Sequence, residues 1–109
     1  MPQPITLFHI HDLAEDQTQE FHVNHHDLLA IKKDGQIYLY ENICPHLQIS
    51  LNFMPNEFLD GERHFITCAN HCALFEIETG LCIAGPCVGQ SLKKINFTIQ
   101  DGAIQLTAI

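Results

Sequence analysis

Apolar and polar positions alternate with a period of two toward both ends of the chain and lose that period in the middle. Ile37 and Leu39 would face one side of a strand while Tyr38 and Tyr40 face the other, which is the spacing of a sheet. A second apolar run occupies residues 28–31. Lys33-Asp34-Gly35 lies between the two and predicts a hairpin, because Asp and Gly both tolerate positive φ. The same device recurs later: Ile95, Phe97 and Ile99 alternate with Asn96 and Thr98, Gln100-Asp101-Gly102 turns, and Ile104 and Leu106 alternate back. Nearer the start, residues 5–10 predict an opening strand. Asp12 is placed to cap one helical turn through Leu13, Ala14 and Glu15. The chain extends again over residues 20–23 and turns at 24–26.

From about residue 42 to residue 90 the alternation disappears and Cys, His, Pro and Gly accumulate. This stretch reads as an inserted site with too little regular structure to be held by backbone ladders alone. A bound metal centre would explain its order. The fold class expected is all-β, in one domain over residues 1–109, with no repeats, low-complexity segments or Pro/Gly-rich linker to divide it.

Composition narrows the functions. The chain is 46% hydrophobic and 17% charged, as in a globular domain, and no apolar run approaches the roughly 18 residues of a membrane span. Met-Pro-Gln-Pro-Ile-Thr at the start does not resemble a secretory signal, so the location expected is cytoplasmic. Thirteen acidic against five basic side chains give a formal charge of −8. That charge repels nucleic acid and anionic lipid and would steer the protein toward a basic patch on a partner. Five cysteines, at 44, 68, 72, 82 and 87, form an odd set without secretory context, which favours metal binding over a disulfide framework.

Two of those cysteines are paired with histidine at short range. Cys44-Pro45-His46 is a C-x-H, and Cys68-Ala69-Asn70-His71 is a C-x-x-H. Each pair offers one thiolate and one imidazole. A tetrahedral zinc ion could take two sulfurs and two nitrogens in this way; so could a 2Fe-2S cluster with two cysteines on one iron and two histidines on the other. Ligand type alone does not decide between them.

The surrounding residues resemble the Rieske family over the whole chain, most closely over residues 42–92. Asn42-Ile43-Cys44-Pro45-His46 is similar to that family's first cluster loop. Cys68-Ala69-Asn70-His71 with Ala73-Leu74-Phe75 is similar to the second. Residues 76–80 resemble the acidic strand and Thr-Gly turn that follow, and Gly85-Pro86-Cys87 resembles the proline loop that covers the cluster from a third side. The resemblance implies a Rieske-type antiparallel β-sandwich with an inserted cluster-binding subdomain over about 42–90, and one Rieske-type 2Fe-2S cluster. It further implies that Cys44 and Cys68 hold an inner iron and His46 and His71 an outer, more exposed one.

That ligand set has consequences for the potential. Two ferric ions, two sulfides and two thiolates are neutral together, whereas four thiolates would leave excess negative charge, so an electron is accepted more easily. The exposed imidazoles can lose a proton, and the reduced cluster should bind it more tightly, so the potential should fall at alkaline pH. High-potential members of the family carry a disulfide between the cluster loops and Ser and Tyr hydroxyls bonded to sulfur. The matching positions here are Leu47-Gln48-Ile49, Asn70, Ala73 and Phe75, none of which supplies those links. The potential expected is therefore toward the low end of the range, on the order of −150 mV.

One position departs from the family: Cys72 stands where Gly is usual after the second histidine. It reads either as a tolerated small residue or as a redox-active thiol or substitute ligand. Cys87, in the proline loop, could approach Cys72, which leaves a disulfide between them open. Cys82 is expected to pack as a small apolar residue. Leu47, Phe75 and Pro86 would shield the cluster from water. Phe8, Phe21, Phe53, Phe58, Phe65 and Phe97 are expected in the core, and His25-His26 in a solvated turn.

With no second metal site, no nucleophile beside a base and no cofactor fold, the chain reads as an electron carrier and not an enzyme by itself. By the resemblance it is similar to the ferredoxins of bacterial oxygenase systems. It would pass single electrons from a flavin-containing reductase to a terminal oxygenase in brief encounters, and be a monomer in isolation. Two other readings are a Rieske-like subunit or regulatory module of a larger oxidoreductase, such as a nitrite reductase, and a structural zinc domain.

Overall fold

The computed structural model describes residues 5–43, 51, 59, 64–68, 73–85 and 88–106. Their nine strands form three antiparallel sheets. The strands are β1 (Ile5–His9), β2 (Thr18–Val23), β3 (His26–Lys33), β4 (Gln36–Glu41), β5 (Phe65–Cys68), β6 (Ala73–Glu76), β7 (Cys82–Ala84), β8 (Phe97–Gln100) and β9 (Ala103–Leu106). The order is β1-β9-β8 in the terminal sheet, β2-β3-β4 in the middle sheet and β5-β6-β7 in the third.

Both Asp-Gly hairpins form as their sequences require. Lys33 pairs with Gln36 around Asp34 (φ 52°) and Gly35 (φ 76°), and Gln100 pairs with Ala103 around Asp101 (φ 54°) and Gly102 (φ 81°). Positive φ at both central residues is the twist that two-residue hairpins need. The turn expected at 24–26 is a third hairpin of the same kind. Val23 pairs with His26 around Asn24 (φ 47°) and His25 (φ 69°), so His26 belongs to β3. Without a glycine to mark it, this hairpin extends the expected strand 20–23 back to Thr18.

The middle sheet is buried on both faces. Leu28, Ala30, Ile37 and Leu39 share one core with Phe8, Leu13, Ile104 and Leu106 under the terminal sheet. Leu29, Ile31 and Tyr40 share the other with Leu51, Ile66, Cys68, Ala73, Phe75, Ile77, Cys82 and Leu92. The alternation along β4 thus separates Ile37 and Leu39 from Tyr40 as its period demands, with Tyr38 packed beside Tyr40's core. Residues 28–31 of β3 are fully buried. Each buried Leu or Ile there contributes about 1.5–3 kcal/mol of hydrophobic burial.

The expected helical turn lies earlier than the sequence suggested. A 3-10 turn spans Ile10–Asp12, and β1 stops at His9. His9 and not Asp12 is the capping residue. Its Nδ1 accepts the His11 N–H (3.3 Å), and Asp12 Oδ2 accepts the His9 N–H (3.0 Å). Leu13 is already extended and buried in the core under the terminal sheet, which removes it from any helical turn. Among the expected core aromatics, Phe8 is buried and stacks on the partly buried Phe21 with ring centroids 5.1 Å apart. Phe97 packs against the same core, and Phe65 is half-buried. Phe53 and Phe58 lie outside the described residues.

The middle of the chain has regular structure that its sequence did not display. The stretch 42–90, expected to hold too little of it for backbone ladders alone to fix it, supplies the whole third sheet: Phe65 pairs with Glu76 through to Cys68 with Ala73, and Phe75 with Cys82. Its strands have only three or four residues, too short for a period to show. Residues 91–95 then return along the outer edge of β4. The Leu92 N–H donates to Gly80 O (2.9 Å), Glu41 N–H to Lys93 O (2.9 Å) and Ile95 N–H to Leu39 O (3.1 Å). An edge that could template another strand is thereby covered.

Tyr40 fastens the middle sheet to the third. Its hydroxyl donates to Ile77 O, and a Cβ at Gly80 would come within 2.8 Å of its ring. Burial, then the neighbouring Tyr38 and Glu78, push the Tyr40 phenol well above its ordinary value of 10.0. The unfolded chain releases this proton near pH 10 while the folded chain keeps it, so the contribution is complete below that pH and stability falls as pH rises beyond it. Tyr40→Phe is expected to lower stability by about 1–2 kcal/mol at neutral pH, because the buried Ile77 carbonyl loses its donor. It should also flatten the alkaline decline. Urea unfolding of both proteins at neutral pH and above pH 10 checks this, and parallel declines would refute it.

Candidate metal centre

The first Cys/His segment leaves the middle sheet at Asn42. The Asn42 backbone N–H donates to Asp27 O (2.7 Å), adding one more link beyond the end of β4, and its side chain is 2% exposed. Asn42 Oδ1 accepts the Leu51 N–H at 2.9 Å. Leu51 is fully buried in the core that contains Cys68, Ala73 and Phe75. The two ends of the stretch carrying Cys44, His46 and Leu47 are thus tied together at one point. Those three residues themselves lie outside the described residues.

The second segment spans the end of a hairpin. Cys68 ends β5, Ala73 begins β6, and the two are paired. His71 and Cys72 fall between them, outside the described residues. On β5 Ile66 and Cys68 are buried, and on β6 Ala73 and Phe75 are buried, in each case every second residue. The period of two therefore turns Cys68 toward the same core as Phe75. Phe75 is fully buried and pairs with both Ile66 and Cys82.

The third segment follows β7. Gly85 has φ 100°, and a Cβ there would lie 2.8 Å from Ala73 Cα, so the backbone entering the proline loop rests directly on the start of β6. Only glycine allows both the conformation and the approach. The base of this loop is closed by Gly89 N–H to Cys82 O (3.3 Å) and Cys82 N–H to Gln90 O (2.8 Å). Pro86 and Cys87 lie outside the described residues. Cys82 is 1% exposed, and its thiol donates to Ala84 O (3.2 Å), the small buried residue that the sequence suggested.

Leu51, Cys68, Ala73 and Gly85 therefore anchor the three Cys/His/Pro segments beside one core. Sequence reasoning found the Cys and His residues but missed the roles of Asn42 and Leu51. The signal for Asn42 was weak: a single Asn after the last alternating residue of a strand. Two of the remaining histidines lie beside carboxylates. His22 Nδ1 lies 2.6 Å from Asp27 Oδ1 and His26 Nδ1 lies 3.3 Å from Glu41 Oε1, while His25 is exposed in its turn. Among the described residues no group of three or more His, Cys, Asp or Glu could hold a metal ion, and no helix there is long and apolar enough to cross a membrane.

Comparison with known proteins finds relatives of the whole fold. The ferredoxin component of the alkene monooxygenase system of Xanthobacter autotrophicus is 30% identical over 74 residues, covering 65% of this chain and 55% of the relative; the match thus spans about half of that protein's length. The ferredoxin of carbazole 1,9a-dioxygenase from Nocardioides aromaticivorans superposes with a TM-score of 0.76 at 20% identity, over 96% of this chain and 97% of its own. A Sphingomonas yanoikuyae ferredoxin does so with a TM-score of 0.76 at 21% identity, over 98% of this chain and 100% of its own. At such identities the two structures speak to a shared fold. The model of the Rieske 2Fe-2S domain matches residues 3–101, nearly the full length, and the chain belongs to the Rieske family.

Proposed function

We propose that this protein is a one-electron carrier holding a single Rieske-type 2Fe-2S cluster, and that it serves as the ferredoxin between a flavin-containing reductase and a terminal oxygenase. The observation that carries the reading is the convergence of the three segment anchors on one core around Cys68. In this reading the whole chain is one domain, residues 42–90 are its cluster-binding part, and the ligands are Cys44, His46, Cys68 and His71.

The donor set fits the group. Two thiols and two imidazoles are the ligands of a Rieske centre, and the complete burial of Cys68 suits a thiolate on the iron that is shielded from water. The bound cluster supplies reversible acceptance of one electron. Cys44 and Cys68 would hold one iron and His46 and His71 the other, and the imidazoles would be the groups able to keep or release a proton. Phe75 shares the buried core of Cys68, and Leu47 and Pro86 would help exclude water from the cluster. Cys72 is a small neighbour of His71.

Support for the partners comes from relatives: one is a component of an alkene monooxygenase system, another the ferredoxin of a dioxygenase. The chain's formal charge of −8 favours brief, salt-sensitive encounters with basic surfaces. The test is an EPR spectrum of the protein reduced with dithionite, followed by a redox titration across pH. A 2Fe-2S signal of low average g is expected, with a potential on the order of −150 mV that falls at alkaline pH. Absence of the signal would overturn the cluster, and a potential flat with pH would overturn imidazole ligation.

A further inference from the structure

We propose that Asn42 is a positioning residue for the first Cys/His segment, and that its side-chain carbonyl fixes where Cys44 and His46 are presented; this rests on the cluster reading above. Asn42 is the one buried polar residue among the described residues. Taking an amide out of water costs roughly 1–3 kcal/mol unless it is hydrogen-bonded, so such a residue in a core calls for a specific use.

Its bonds supply one. The backbone N–H of Asn42 reaches back to Asp27 O (2.7 Å) and so belongs to the middle sheet, while Oδ1 accepts the N–H of Leu51 (2.9 Å). One residue therefore joins the rigid base to the far end of the segment that begins beside it. The Leu51 N–H is buried, so water cannot replace the acceptor. The burial of the Leu51 side chain is an apolar contact with no direction. A hydrogen bond adds direction, and groups that hold metal ligands in place typically matter by 10–100-fold in metal affinity.

An apolar residue at 42 fills the same space and leaves the Leu51 N–H without a partner. Asp keeps the shape and the acceptor oxygen but loses the amide's N–H donors and brings a charge into the core, so it restores part of what Asn supplies. The experiment compares wild type, Asn42→Leu and Asn42→Asp as full chains loaded with iron and sulfide. It follows bleaching of the visible absorption in excess chelator, the EPR g values after reduction, and thermal melting of each. Asn42→Leu is expected to lose iron at least about tenfold faster and to show displaced g values, with Asn42→Asp nearer to wild type than Asn42→Leu in both. The proposal is overturned if folded Asn42→Leu bleaches at the wild-type rate with wild-type g values, or if Asn42→Asp fails as badly as Asn42→Leu. It is overturned equally if Asn42→Leu does not fold while Asn42→Asp does, since the amide would then hold the fold and not the segment. A wild-type protein without any 2Fe-2S signal would remove the cluster reading itself, and is seen before any variant is compared.

Discussion

Cys68→Ser is expected to give a folded protein that carries no cluster. Cys68 is fully buried at the paired end of β5, opposite Ala73. Serine is nearly its shape but offers an oxygen where a thiolate is needed, and iron–sulfur clusters are held by thiolates. The informative control is Cys82→Ser. Cys82 belongs to the same core at 1% exposure, and its Sγ donates to Ala84 O, a bond that a serine hydroxyl can make as well. Cys82→Ser should therefore keep its iron, sulfide and visible absorption. Iron and acid-labile sulfide per chain decide the matter: equal loss in both variants would mean that disturbance of the core, and not ligation by Cys68, explains the result.

Gly85→Ala should destabilise the protein by about 3 kcal/mol and weaken cluster retention. At φ 100° an L side chain costs about 1–2 kcal/mol. The added Cβ would also meet Ala73 Cα at 2.8 Å, a backbone atom that cannot swing aside, and overpacking of this kind costs about 1–3 kcal/mol more. Gly35 separates the two contributions. It has φ 76° but nothing within 4 Å of the position a Cβ would take, so Gly35→Ala should lose only the conformational part, about 1 kcal/mol. Urea midpoints for the two variants test the contact directly, and equal losses would show that the approach of Gly85 to Ala73 contributes nothing.

The two Asp-Gly hairpins and the division of β4 between two cores were legible because their causes are local: a turn chemistry and a period of two. What was not legible depends on distant partners. The turn at Asn24-His25 was expected but its two-residue form was not: it carries no glycine, and it is enforced by the pairing of Thr18 through Val23 with β3, which overrides the reluctance of His25 to take positive φ. Strands β5 to β7 are too short for periodicity, and their order comes from pairing with one another and packing under Tyr40. The Cys and His residues of the candidate site stand out because their chemistry is rare. Asn42 and Leu51 do not, since a side-chain bond across nine positions leaves no local pattern. The early 3-10 turn was misplaced for a related reason: the choice between His9 and Asp12 as cap was settled by burial of Leu13 beneath β9.

The double burial of β3 bears on how its register is chosen. Most half-buried strands are aligned by their own pattern, because a slip of one residue turns every apolar side chain to water. Leu28, Leu29, Ala30 and Ile31 are all fully buried, so a slipped β3 would still present mostly apolar groups to both cores and would be penalised chiefly where Asp27 or Lys32 moved inward. Alignment must then come from the ends of the strand, where Asn24-His25 and Asp34-Gly35 each permit a single two-residue connection. In this molecule the exposed turns, more than the interior, carry the information that selects one pairing of the central strand over its neighbours.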